Sequence, residues 1–207
     1  MKQIREGLWQ TRVERPAPGL KTHAYFWQRE AGNILFYNTG HSDEIASMKE
    51  LGGVAYQLLS HRDELGESLK TIQTLYGSQL GGHKAELNDY RHYVKPNILF
   101  EESGRLFDDL EVIYTPGHSP GSVCFYLTLS DSSRCLFSGD TLYLNDKKGL
   151  SPGMLPGSER KALKQSIKRL RKYHPDLVIS SAFAGESGWK EVVDWQQELE
   201  DALAQLT

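Results

Sequence analysis

Residues 115–122 read Thr-Pro-Gly-His-Ser-Pro-Gly-Ser, and residues 137–141 read Phe-Ser-Gly-Asp-Thr. Proline and glycine bend the first stretch sharply and leave His118 as its one ionisable side chain. The second ends an apolar run in Gly139-Asp140. A third stretch, Leu58-Leu59-Ser60-His61-Arg62-Asp63-Glu64, also leaves an apolar run. In it His61 and Asp63 stand two apart, so an extended turn points both the same way. Each stretch alone carries little, because a lone loop histidine is ordinarily a surface or hydrogen-bonded residue and an aspartate after glycine a turn residue. Three of them, each following a predicted strand, put metal-ligand side chains where α/β folds build their sites.

Around these stretches the chain alternates between strand and helix signals. Residues 7–13 alternate in part, Tyr25-Phe26-Trp27 is an aromatic run, and residues 34–37 form a short apolar run. Ser42 is the expected cap of a helix with Asp43 and Glu44 in its first turn, stopped by Gly52-Gly53. Residues 54–59 read as a buried strand, after which Leu65, Leu69, Ile72 and Tyr76 keep helical spacing up to Gly77. A short helix is expected over 84–90, then strands near 98–100, 110–114, 123–129 and 135–138. Residues 142–157 hold three glycines and two prolines and read as a loop. Ser158 is the expected cap of the next helix, residues 177–179 a last strand, and 189–206 a closing amphipathic helix. Two batches of strands, each followed by helices, divide near residues 80–96 without a linker. That predicts packed sheets with helices outside, in one α/β domain over residues 1–207.

Composition narrows the function. The chain has 207 residues, 39% hydrophobic and 25% charged, with net charge -3, which disfavours nucleic acid and anionic membranes as partners. No apolar run reaches the roughly 18 residues of a membrane span, and the first residues lack a signal-peptide core, so a cytoplasmic protein is expected. Cys124 and Cys135, the only cysteines, read as buried thiols on neighbouring strands rather than a disulfide or metal ligands. Seven basic residues between 160 and 172 read as the solvated face of a helix.

The three stretches together resemble the metallo-β-lactamase superfamily of metal-dependent hydrolases. TPGHSPGS is similar to its third motif, FSGDT to its Gly-Asp motif, LLSHRDELG to its His-x-His-x-Asp-His motif, and NILFYNTG to its early strand. The resemblance runs from about residue 7 to residue 185 and implies an αββα sandwich, two packed mixed sheets with helices on the outer faces. Carried over by position, it makes His61, Asp63, His118 and Asp140 metal ligands. Three of the usual seven ligands are missing: Leu59 stands in the first histidine's place, Glu64 replaces the histidine after the aspartate, and Ala182 stands where the closing histidine belongs. Even with Glu64 as a further oxygen donor, five candidates cannot fill two tight sites, so the expectation is one divalent ion, zinc ahead of iron or manganese. The alternative is a metal-free cleft in which the two histidines bond to Asp63 and Asp140. His41 is expected beside the cleft, and His83 matches a structural stretch.

Two functions compete. In the first, a metal-activated water hydrolyses a small ester, thioester, amide or phosphoester, with Asp63 or Glu64 orienting or deprotonating it. Tyr143, Lys147 and Lys148 would shape substrate access, the lysines pairing with a substrate anion. In the second, a non-catalytic descendant of the fold binds a ligand or partner. Oxygen chemistry at a single iron is a weaker third. The oligomeric state is left open.

Overall fold

The computed structural model of the protein describes all 207 residues. The first half supplies strands β1 (Lys2–Arg5), β2 (Leu8–Gln10), β3 (Glu14–Ala17), β4 (Leu20–Thr22), β5 (Tyr25–Trp27), β6 (Ile34–Phe36), β7 (Tyr56–Leu58), β8 (Gln79–His83) and β9 (Ile98–Phe100). The second half supplies β10 (Gly104–Phe107), β11 (Leu110–Tyr114), β12 (Val123–Thr128), β13 (Arg134–Gly139), β14 (Tyr143–Leu144), β15 (Leu150–Ser151), β16 (Leu177–Ser180), β17 (Ala182–Phe183) and β18 (Trp189–Glu191). The α-helices are α1 (Ser42–Ser47), α2 (Ser68–Tyr76), α3 (Leu87–Tyr90), α4 (Arg160–Arg169) and α5 (Trp195–Ala204).

Two mixed sheets, ordered β1-β2-β5-β6-β7-β8-β9 and β10-β11-β12-β13-β16-β18, pack face to face, and a smaller ribbon, β15-β14-β17-β4-β3, flanks them. The period of two along each strand divides the apolar residues between two layers. Phe36, Val112, Phe125, Phe137 and Ile179 fill the space between the sheets. Their neighbours Ile113, Cys124, Leu136 and Val178 face outward, onto Leu163 and Ile167 of α4 and Trp195 and Leu199 of α5. On the opposite face Phe26 and Leu35 meet Ile45, Met48 and Ile72. Helices therefore cover both outer faces, and the architecture is the αββα sandwich that the sequence implied.

Several local expectations need correction. Residues 79–83 form β8, so the first sheet runs on through β9 and the expected boundary near 80–96 lies inside it. Gly81 and Gly82 concealed this strand. A Cβ at Gly82 would lie 2.1 Å from the Tyr90 hydroxyl, so close packing puts glycine where a strand pattern wants a side chain. Residues 142–157 are not all loop, since β14 and β15 pair there. Trp189 belongs to β18, and the last helix begins only at Trp195, capped by Asp194. Ser42 and Ser158 are not caps; His41 and Glu159 hold those positions without side-chain cap bonds. Cys124 and Cys135 are free and buried, and burial pushes their thiols up to about 11 and about 12. Thiolate chemistry is thereby suppressed. No helix is long and apolar enough to cross a membrane.

The sheets are also tied to each other by polar bonds. Tyr37, directly after β6, is 1% exposed; its hydroxyl donates to Ile179 O at 3.0 Å and accepts from Gly139 N at 3.1 Å. Val123 N donates to Ser60 O at 2.9 Å. Tyr37→Phe should remove the acceptor of Gly139 N and leave Ile179 O with the more distant Ser138 hydroxyl, at 3.4 Å, lowering the unfolding free energy by about 1–3 kcal/mol, read from urea midpoints with the fold retained.

Candidate metal centre

The three motif stretches leave the sheets at one edge. β7 ends at Leu58, and the chain continues through Ser60 and an extended His61 into a single 3-10 turn over Arg62–Glu64. His118 sits on the loop between β11 and β12, and Asp140 directly follows β13. Both imidazoles are almost wholly buried, and their rings meet edge to face with centroids 4.7 Å apart. His118 Nε2 lies 3.2 Å from Asp63 Oδ2 and 3.8 Å from Asp140 Oδ2. His61 Nε2 lies 3.4 Å from Asp140 Oδ2 and 4.0 Å from Asp63 Oδ2.

The other ring nitrogens are tied off. His118 Nδ1 is 3.1 Å from Gly153 O, which can only accept, so Nδ1 carries the proton. His61 Nδ1 stands 3.2 Å from Glu64 Oε1 and 2.8 Å from Ser60 Oγ. The Ser60 hydroxyl itself donates to Glu64, so it accepts from His61. Both Nε2 atoms are left facing the common point, the arrangement in which an acceptor behind an imidazole sets its tautomer and raises its basicity as a ligand.

The charge balance follows from this geometry. Burial alone would raise the Asp140 carboxyl, but His61, His118 and the Ala182 N–H outweigh it and hold it below the ordinary carboxylate range. The hydrogen bond with His118 is the main reason that Asp63 also sits low. For His61, burial acts downward, yet Asp140 and Glu64 dominate and raise it well above the usual imidazole range. A protonated His61 thus supplies the positive charge that keeps both carboxylates ionised, the place a divalent ion would take.

That donor set fits one divalent ion. His61, Asp63 and His118 each offer an atom within 4.8 Å of the others, and Asp140 Oδ2 lies against both imidazoles. Ligand atoms about 2.0–2.2 Å from a tetrahedral zinc stand roughly 3.3–3.6 Å apart, against 3.2 to 4.0 Å between the imidazole nitrogens and carboxylate oxygens here, and two imidazoles with one carboxylate leave the fourth position for water. Leu59 is packed with Leu69, Leu80 and Tyr90, and Ala182 presents its N–H, 3.3 Å from Asp140 Oδ1.

Other expected site residues fall elsewhere. Glu64 is turned away from the common point, with one oxygen toward His61 Nδ1 and the other accepting from Ser60 N at 2.8 Å, so it orients His61 rather than a water. His41 lines a neighbouring cleft with His23 and Lys21. Tyr143 lies on β14 and Lys147 at the turn beyond it, and neither they nor Lys148 line the cleft in front of His61. Residues that sequence reasoning passed over hold the His118 loop. Ser158 Oγ donates to His118 O at 2.8 Å, Glu159 N to Gly117 O at 2.7 Å, and Ser166 Oγ to Pro116 O at 2.7 Å. Gly117 has φ 140, and a Cβ there would lie 2.2 Å from Leu163 N, so only glycine lets the loop lie against α4. From the opposite side Glu86, 1% exposed, accepts from the Ser119 hydroxyl and from Gly121 N.

The model of the metallo-beta-lactamase superfamily matches residues 40–182. The chain belongs to this superfamily. Its sequence is 26% identical over 151 residues to a hydroxyacylglutathione hydrolase of Prochlorococcus marinus, and 37% identical over 73 residues to an uncharacterized protein of Aquifex aeolicus. The matches take in 69% and 34% of this chain but only 58% and 32% of those relatives, so the chain spans about three-fifths and one-third of their lengths. Among solved structures, a metallo-beta-lactamase from Pontibacter korlensis superposes with a TM-score of 0.76 at 19% identity, covering 99% of this chain and 97% of that one. An archaeal superfamily protein from Sulfolobus tokodaii gives 0.67 at 21% identity, covering 96% and 85%. At those identities the likeness shows the fold.

Glu86→Ala should leave Ser119 and Gly121 without their acceptor and cost about 1–3 kcal/mol, while Glu86→Gln keeps an acceptor oxygen and should stay nearer the parent in urea unfolding. Burial, the largest influence on Glu86, raises its carboxyl above the ordinary range. The folded protein thus holds that proton more tightly than the unfolded chain, and the group's contribution weakens as pH climbs from the ordinary carboxylate range to the raised value. Glu86→Gln cannot ionise, so its stability relative to the parent should be greater at pH 7 than at pH 4.

Proposed function

We propose that residues 1–207 form one cytoplasmic metallo-β-lactamase-like domain that hydrolyses a small ester, thioester, amide or phosphoester, using one divalent ion held by His61, His118 and one of the carboxylates Asp63 and Asp140, its fourth position left for water. The observation that carries this reading is the convergence of two imidazole Nε2 atoms and two carboxylates while both Nδ1 atoms are tied to acceptors behind them. Zinc suits the mixed nitrogen and oxygen donors, with iron(II) or manganese as the nearest competitors. The distant relative named hydroxyacylglutathione hydrolase supports hydrolysis and, within the substrate list, a thioester.

When bound, the ion lowers the pKa of its water toward about 7 and polarises the substrate oxygen. The protein's own groups do the rest. His61 and His118 keep fixed tautomers, and Asp140 is anchored by the Ala182 N–H. Asp63, whose side chain is 46% exposed, has room to take the proton of the attacking water and return it to the leaving group. Access is through a cleft of about 560 Å³, a size for small molecules rather than polymers. The basic helix face does not alter this, since Lys161, Lys168 and Arg169 are exposed on α4 and Arg171 is paired with Glu200.

A second reading, a ligand-binding descendant without a catalytic metal, draws on Leu59 and Ala182, which bring no donor where the family has histidines. Elemental analysis of protein purified without chelator separates the two, about one ion per chain being expected. His118→Ala should lose that ion. Asp63→Asn should lower kcat/KM for a thioester by about 10²–10⁴-fold, measured by thiol release. Metal-free protein, or turnover indifferent to His118→Ala, would leave only the binding role.

A further inference from the structure

Charge is sorted in front of the imidazoles. β3 and β4 form a two-stranded ribbon that joins β17, and their alternation points successive side chains to opposite faces. Glu14, Leu20 and Thr22 line the cleft that holds His61, Asp63 and Asp140, whereas Arg15, Lys21 and His23 line a separate cleft behind the ribbon. β17 divides in the same way, Ala182 toward the first cleft and Phe183 toward the second. Glu67 enters the first cleft from the residue before α2. Five carboxylates line it, and no lysine or arginine does.

A divalent ion among the ligands would offset Asp63 and Asp140 and leave three carboxylates as surplus negative charge, Glu64 behind His61 and Glu14 and Glu67 toward the opening. Glu14 is held in place, both its oxygens 3.1 Å from Gly40 N. The cleft is a built recess that opens onto the buried ring of His61, itself 3% exposed. In a recess with low-dielectric walls, fixed charges of one sign enrich ligands of the other and repel their own kind.

We propose that the substrate of this cleft carries a positive group, an alkylammonium or quaternary ammonium, which Glu14 and Glu67 receive beside the hydrolysed bond. The inference rests on the hydrolase reading and names the substrate's charge class. It disfavours carboxylate-bearing and phosphate-bearing substrates, because Lys147 and Lys148 do not line the cleft.

Two thioesters with the same acetyl group and opposite charge provide the test: acetylthiocholine and S-acetyl-3-mercaptopropionate, both followed by thiol release. The cationic thioester should show a kcat/KM about tenfold or more higher at low salt, with the gap narrowing as ionic strength rises. The doubly substituted protein Glu14→Gln with Glu67→Gln should lose most of that gap while still hydrolysing both. Equal rates, or faster turnover of the anion, overturn the proposal and leave the hydrolase reading standing. No turnover of either removes the thioester from the hydrolase reading instead. The charge preference is then read by NMR titration of the protein with thiocholine and with 3-mercaptopropionate, where tighter binding of the cation supports it and equal or tighter binding of the anion refutes it.

Discussion

Two sheets that meet only through apolar side chains hold their separation well and their lateral register less well. A site whose ligands come from both sheets therefore depends on direct bonds between them. Here those bonds fall beside the ligands. The Tyr37 hydroxyl bridges Ile179 O and Gly139 N, one residue before Asp140, and Ser60 O, one residue before His61, accepts from Val123 N. The ring of Phe36 stacks on Phe137 with centroids 4.0 Å apart immediately below. Hydrogen bonds of this kind fix positions to a few tenths of an ångström, which is the tolerance that a shared ion sphere demands. Tyr37 adopts φ 67 to make its bond, a backbone conformation that a bulky residue holds only where its surroundings enforce it.

The same edge gathers charges that would be costly apart. Buried carboxylates are tolerated when cations or hydrogen-bond donors face them. Asp140 has the Ala182 N–H and two imidazoles, and Glu64 has Ser60 and His61. Glu64 steadies His61 from behind. Ser158, Ser166 and Glu86 do for the His118 loop what Glu64 does for His61, gripping it from α4 on one side and from the segment before α3 on the other.

The αββα architecture was legible because two short-range signals agreed over most of the chain. Alternating or continuous apolar runs at 34–37, 110–114, 123–129 and 135–138 are strands in the structure, and the motif order identified which edge of the sheets carries the ligands. Where local signals failed, packing had overruled them. Gly81 and Gly82 removed side chains from β8 so that Tyr90 could lie across it, and the hairpin of β14 and β15 hides among glycines and prolines.

Sequence alone determined the layer architecture and the identity of the four side chains that meet, since both follow from residue type, spacing and order. Tertiary structure decided what those spacings leave open. It set which way Glu64 turns, that His41 and Lys147 lie outside the cleft, that Gly153 and Ser158 belong to the site, and that Arg15 and Lys21 face away from Glu14. The reason is that direction at a loop is set by long-range hydrogen bonds, such as His118 to Gly153 across 35 residues and Tyr37 to Ile179 across 142, and no local pattern records them.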